Sequence, residues 1–150
     1  MSRFMNMPRA HISPGKRNLL PLPPDLRREE LLRGYLCLSA LEAGIGEQGH
    51  LGTLARMWMV SYYLYREKVK IESLAGLAEA RETLLRISKT GLFSLDGYAT
   101  KRILTAMLLN YEAQLEVAPL HKVAQAVGAA EAETATAMSG SGGVEKMFAT

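Results

Sequence analysis

The middle of the chain holds its densest group of side chains suited to molecular recognition. Four aromatic residues fall close together, with two methionines beside them: Trp58, Tyr62, Tyr63, Tyr65, Met57 and Met59. Aromatic and methionine side chains are enriched at binding hot spots, although the same residues also pack cores with tyrosine hydroxyls at the surface. Nucleobase stacking is less well supported, because single-strand binders interleave Arg and Lys with their aromatics. The candidates for an interaction face are Trp58, Met59, Tyr62 and Tyr63.

A second group of functional candidates is basic and lies near the N-terminus. Residues 1–24 contain Arg3, Arg9, Lys16 and Arg17 and no acid, whereas the rest of the chain holds 14 basic and 15 acidic residues. Residues 1–24 also include five of the six prolines, which favour extended backbone. We expect an extended, Pro-rich basic arm whose cations either contact nucleic-acid phosphates or are simply solvated.

Patterns that would indicate a cofactor or a metal lack the required context. Residues 44–49 read Gly-Ile-Gly-Glu-Gln-Gly, but a nucleotide-binding GxGxxG follows a β-strand. Here the preceding residues have helical periodicity, so the glycines are expected to form a helix–helix turn with positive φ. The single cysteine and the three histidines show no zinc-ligand spacing: Cys37, His11, His50 and His121. We expect no cofactor and no metal, with Cys37 in the core and His50 near a helix start.

Carboxylate pairs are the remaining route to acid–base chemistry. Glu29 and Glu30 are adjacent, and Glu112 and Glu116 are one helical turn apart, which is typical of a solvated helix face. The sequence also lacks the GxSxG and Walker patterns. We expect no catalytic residue. An enzyme remains a third hypothesis, which a buried cluster of titratable groups would support.

Helical periodicity runs through most of the chain. Apolar residues recur at helical spacing near 25–44, 47–66, 72–89 and 94–117, and again over a short stretch from Leu120 to Val127. Glycines and Pro119 mark the ends of these segments. We therefore predict an all-α protein, in which residues 25–127 form a compact antiparallel bundle of four main helices plus a short fifth helix.

The composition bears on the surroundings of this bundle. The predicted helices at 47–66 and 94–117 are apolar on nearly every side, which indicates central helices or a second partner. They have more apolar faces than one small bundle can easily bury, so we expect a protein partner or a homodimer. Residues 128–150 are rich in Ala, Thr, Ser and Gly and are predicted to be a flexible C-terminal tail, so both ends are expected to be disordered. The alternative for the last seven residues is a short docking peptide that packs through Val144, Met147 and Phe148. No apolar run approaches the ~20 residues of a membrane helix. We expect a cytoplasmic protein without membrane contact.

Several short motifs between Gly34 and Ala126 carry a resemblance. They are Ala40-Leu41-Glu42-Ala43, Gly49-His50-Leu51, Thr90-Gly91, Tyr111-Glu112-Ala113-Gln114-Leu115, Pro119 and Val123-Ala124. This stretch is similar to short, largely uncharacterised helical proteins encoded on plasmids, integrative elements and prophages of proteobacteria. The resemblance implies an origin in the accessory genome and no particular reaction.

These observations lead to two functional hypotheses of different classes. The first is a non-enzymatic helical protein-interaction or regulatory module. The alternative is a nucleic-acid-binding regulator that uses the basic N-terminal arm.

Overall fold

The helix Gln48–Arg66 lies at the centre of the fold, and every other described helix packs on it. A computed structural model of the chain describes residues 19–69, 74–138 and 143–148. Its helices are α1 (Pro24–Glu42), α2 (Gln48–Arg66), α3 (Leu74–Thr90), α4 (Tyr98–Val117), α5 (Leu120–Met138) and α6 (Gly143–Met147). Within these ranges the chain forms no strand, only one isolated bridge between Pro21 and Pro119. The predicted all-α class is confirmed.

The central position of α2 explains why its sequence is apolar on nearly every side. It contacts α1, α3, α4, α5 and α6, while α4 also packs on α1 and α3, and α6 on α3 and α5. Its own chain therefore covers the faces that suggested a second partner. On α4, in contrast, Leu109 and Val117 remain more than half exposed.

The N-terminus of α2 is capped as the sequence suggested. Glu47 is the N-cap, and its backbone N–H donates a hydrogen bond to Nδ1 of His50 at 2.9 Å. The Glu47 side chain in turn accepts from the His50 backbone N–H, which completes a capping box. The prediction that His50 lies near a helix start is confirmed.

The glycine-rich turn before α2 is built for packing. Gly44 has φ +76°, a conformation that favours glycine. At Gly46 a Cβ atom would clash with the Phe93 carbonyl oxygen and with the Leu41 side chain, whereas at Gly49 it would meet open space. The predicted positive φ is thus found at the first of the three glycines, and the second allows close backbone approach.

Two helix starts differ from the sequence prediction. α1 begins at Pro24, where the fixed φ of proline suits a first turn, and not at Asp25. α4 begins at Tyr98 and not near Ser94, because the Leu95 N–H donates to the Leu41 carbonyl at 3.2 Å and holds this segment against the end of α1.

Two predictions were wrong for the described residues: the short fifth helix from Leu120 to Val127, and the flexible tail from residue 128. α5 runs to Met138, and α6 follows at Gly143–Met147. Residues 128–137 lack large apolar side chains, but their small ones allow close packing, so Ala130 is buried. Residues 139–142 and 149–150 lie outside the described ranges.

The residues before α1 lie against the junction of α4 and α5. The Leu120 N–H donates to the Leu20 carbonyl at 2.7 Å, and the Leu22 side chain is buried. This anchors the last residues of the predicted extended arm. None of the described helices combines the length and hydropathy that a bilayer crossing requires.

Candidate functional site

The four residues predicted to form an interaction face line a single surface groove. Its volume is about 600 Å³. We call it the aromatic groove. Its lining comes from α2, α3, α5, α6 and the residue directly after α6: Trp58, Met59, Tyr62, Tyr63, Arg66, Leu74, Leu77, Ala78, Arg81, Glu133, Met147 and Phe148. Trp58 and Met59 form its buried floor, whereas Tyr62 and Tyr63 are half-buried and form the reachable wall.

The aromatic rings of the groove hold one another in fixed orientations. Tyr62 stacks on Trp58 with ring centroids 5.2 Å apart, and Phe148 meets Trp58 edge-on at 5.0 Å. The indole Nε1–H of Trp58 donates to the Leu77 carbonyl at 2.7 Å, which fixes the ring against α3. A rigid aromatic wall loses little conformational entropy when a ligand binds.

Two guanidinium groups lie along the groove. The Cζ of Arg66 is 6.0 Å from the Tyr62 ring centroid, and the Cζ of Arg81 is 5.4 Å from that of Phe148. Nη2 of Arg81 also donates to the Phe148 carbonyl at 2.8 Å. Cations over aromatic faces are attracted by the ring quadrupole, so both arginines are held at the groove by the rings that line it.

The acidic side chain of the groove is already engaged. The Tyr63 hydroxyl donates to the Glu133 carboxylate of α5. Partial burial, followed by this hydrogen bond and the charge of Glu133, raises the pKa of Tyr63 to about 12. The phenol therefore stays protonated near neutral pH, and the two arginines give the groove a positive character.

A second cluster lies in the interior between α1, α2 and α4. The Glu30 carboxylate is 3% exposed and accepts from Nη2 of Arg56 at 3.3 Å to each oxygen. The Tyr111 hydroxyl donates to the same carboxylate at 2.8 Å, and Arg33 lies 3.5 Å away. The expectation that Glu30 belongs to a solvated face was wrong, because these partners compensate its burial.

The polar interior continues along the contact between α2 and α4. The Ser61 hydroxyl donates to the Gln114 side-chain carbonyl at 2.5 Å, and the Gln114 amide donates to the Ser61 backbone carbonyl at 3.0 Å. Both residues are fully buried. We refer to Glu30, Arg56, Tyr111, Ser61 and Gln114 together as the polar seam.

The polar seam is the buried titratable cluster that would have favoured an enzyme. Its geometry supports a structural role, because both Glu30 oxygens already accept hydrogen bonds from Arg56. Burial, and then the charge of Glu30, raise the pKa of Tyr111 well above its usual value, so this phenol holds its proton.

The remaining predicted residues lie elsewhere. Arg3, Arg9, Lys16 and Arg17 are outside the described residues, as is His11. Cys37 is buried, as predicted, and burial raises the pKa of its thiol. Across residues 19–69, 74–138 and 143–148, no three His, Cys, Asp or Glu side chains come together as a metal site would need.

Sequence reasoning missed the part of the groove supplied by distant residues. Arg81, Glu133 and Phe148 belong to α3, to α5 and to the end of α6. One available signal was the spacing of Val144, Met147 and Phe148, which is that of an amphipathic helix. Comparisons of the chain with protein-family models, curated proteins and solved structures gave no match.

Proposed function

We propose that the chain is a non-catalytic protein-interaction module that binds its partner in the aromatic groove. The observation that carries the proposal is the convergence of Trp58, Tyr62 and Tyr63 with Arg66 and Arg81 around one cavity of about 600 Å³. Tyr, Trp, Arg and Met are the side chains most enriched at the energetic centres of protein interfaces. The proposal extends the interaction-face hypothesis to a defined surface.

The construction of the groove supports binding more than packing alone. The Tyr62 and Tyr63 rings remain partly open to solvent, so part of the aromatic surface is accessible to a ligand. The indole beneath them is fixed by Leu77, so the surface is already organised before a ligand arrives. Preorganisation of this kind lowers the entropic cost of association.

A random-peptide display library tests the proposal. Peptides selected on the unmodified chain are measured by fluorescence anisotropy against Tyr62→Ala, and against Leu36→Ala as a control at an exposed apolar position on α1. We expect Tyr62→Ala to weaken binding about tenfold or more, as for an interface hot spot, and Leu36→Ala to leave it unchanged. Failure to enrich any peptide, or equal binding to both variants, would overturn the proposal.

Nucleic-acid binding through the N-terminal arm remains the alternative, and charge placement favours it. Residues 1–24 hold four basic residues and no acid. The alternative predicts that duplex DNA is retained in a strongly salt-dependent manner and released when Arg3, Arg9, Lys16 and Arg17 are all replaced by Ala. Replacing side chains and keeping the chain length preserves the buried Leu22 anchor.

Homodimerisation stays a prediction, and fewer exposed apolar residues support it than the sequence indicated. The chain itself covers α2, so the exposed Leu109 and Val117 of α4 carry the remaining apolar argument. Sedimentation equilibrium of the unmodified chain and of Leu109→Ser would test it. A monomer at all concentrations would remove this prediction and leave the aromatic groove proposal intact.

A further inference from the structure

α6 shows which kind of ligand the aromatic groove accepts. This five-residue helix packs on α2, α3 and α5. Its residues Val144 and Met147, and Phe148 directly after it, are at most 4% exposed. Isolated helices need about 12–15 residues to be even marginally stable in water. The surface beneath α6 therefore supplies the contacts that keep this segment helical.

Arg81 recognises the end of this segment. Its guanidinium donates to the Phe148 carbonyl at 2.8 Å and lies over the Phe148 ring at 5.4 Å. Carbonyl groups at a helix C-terminus carry partial negative charge and lack partners within the helix. One arginine thus binds both the helix end and the aromatic side chain beside it.

The open part of the groove repeats the same chemistry. Beyond Phe148, the wall is formed by Tyr62 and Tyr63, with the Arg66 guanidinium over the Tyr62 ring. Five residues of helix span only about 7.5 Å at 1.5 Å per residue. A longer helix is needed to cover both the surface held by α6 and the open part.

The charge of the groove indicates which side chains such a helix should carry. Arg66 and Arg81 line the groove together with one acid, Glu133, which accepts a hydrogen bond from the Tyr63 hydroxyl. Arg81 also forms a 3.4 Å ion pair with the exposed Glu82 at the edge of the groove. Complementary charge across an interface raises the association rate and selects partners. Acidic side chains on the exposed edges of a bound helix would face these guanidinium groups.

We propose that the aromatic groove receives an acidic amphipathic helix of a partner protein, which takes the positions of Val144, Met147 and Phe148 and displaces α6. This inference rests on the proposed function and names the partner class. α6 is then an internal competitor. Only four residues, Ser-Gly-Ser-Gly, separate it from α5, so its local concentration at the groove is high.

The test uses groove-binding peptides of about 16 residues, which span about 24 Å as a helix. Their dissociation constants are measured on the unmodified full-length chain and on Phe148→Ala, Val144→Ser and Lys146→Ala. If α6 partly occupies the groove, loosening α6 raises the fraction of molecules whose groove is open to the peptide. We expect Phe148→Ala and Val144→Ser to bind about tenfold more tightly, and Lys146→Ala, at an exposed position of α6, to bind unchanged.

The direction of the Phe148→Ala effect decides between displacement and binding beside α6. Phe148 also lines the groove, so a ligand beside α6 would lose a contact and bind more weakly. Weaker or unchanged binding would overturn the inference and leave the proposed function standing. Far-UV circular dichroism confirms that both anchor variants are folded.

The partner class has its own readouts. We expect the selected peptides to be rich in Asp and Glu, to gain helical signal on binding, and to lose affinity and salt dependence on Arg66→Gln. Arg81 is left unchanged in this test because its guanidinium also holds Phe148 in place. Selection of neutral peptides, or of peptides that bind in an extended conformation, would contradict an acidic amphipathic helix as the partner. Exchange of α6 between two copies, seen as a concentration-dependent dimer that Phe148→Ala abolishes, would make a second copy the occupant and overturn the inference.

Discussion

The polar seam and the aromatic groove use the same helix for opposite purposes. In the polar seam, Arg56 and Ser61 of α2 meet buried partners on α1 and α4. In the aromatic groove, Tyr62 and Tyr63 of α2 remain partly open, and two guanidinium groups lie along the edge. The difference indicates that buried polar pairing holds the helices in register, whereas partly exposed aromatic surface is available for binding.

The largest expected effect comes from breaking the polar seam at its centre. Glu30→Gln leaves the Arg56 guanidinium, 14% exposed, without its charge partner. Removal of one partner of a buried ion pair costs about 3–5 kcal/mol. Urea titration followed by far-UV circular dichroism should show this loss, and the control Glu116→Gln, at an exposed position of α4, should change little. A loss no larger than that of the control would contradict a structural role for Glu30.

The second part of the polar seam should respond less strongly. Gln114→Leu removes the amide that bonds the Ser61 carbonyl and the acceptor of the Ser61 hydroxyl. A buried group left without a partner costs about 1–3 kcal/mol. The double variant Ser61→Ala with Gln114→Leu should recover part of the loss, because it also removes the hydroxyl that has lost its acceptor. The recovery is only partial because the 3.3 Å hydrogen bond from Nδ2 of Asn110 to that hydroxyl is lost as well. Identical stability of the single and double variants would argue against an energetic coupling between Ser61 and Gln114.

Alkaline pH should loosen both regions through their tyrosines. The folded pKa of Tyr63 is about 12 and that of Tyr111 is higher than usual, against 10.0 for an ordinary phenol. Because the folded pKa is raised, this contribution to stability is complete below about pH 10 and is lost as pH rises through the folded pKa. The urea concentration at the midpoint of unfolding should fall as the pH rises above about 10. Tyrosinate absorbance should show that Tyr63 loses its proton at a higher pH than an ordinary phenol. Tyr63→Phe should reduce the slope, and an unchanged slope would contradict its raised pKa.

The smallest effect on stability should come from the groove wall. Tyr62→Ala removes one stacked ring from Trp58, and such pairs contribute about 0.5–1.5 kcal/mol. The same variant should weaken peptide binding about tenfold or more. Thermal unfolding and anisotropy measured on one preparation separate the two effects. A groove variant that loses stability in proportion to binding would remove the distinction between the two regions.

Local sequence patterns predicted the helices because a repeat of 3.6 residues is visible within one segment. They predicted the surroundings of Glu30 wrongly because Arg56 and Tyr111 lie 26 and 81 residues away, and pairing of this kind depends on the tertiary arrangement. The length of α5 was predicted wrongly for the same reason. Ala126 and Ala130 are buried by close packing against other helices, and small side chains of this kind give no clear sign of burial in the sequence.

The candidate site was predicted in part for a related reason. Trp58, Met59, Tyr62 and Tyr63 are neighbours on one helix, so the sequence placed them together. The edge-on contact of Phe148 with Trp58 joins residues 90 positions apart. Its spacing with Val144 and Met147 was visible, but nothing local indicated which surface this short segment would cover.

Trp58 has one practical consequence that follows from composition. It is the only tryptophan of the chain, and its indole lies beneath Tyr62, edge-on to Phe148 and hydrogen-bonded to Leu77. Its intrinsic fluorescence is therefore a single-site optical signal from the floor of the groove. A shift in emission wavelength or quenching on titration would report entry of a ligand and departure of α6 without any attached dye.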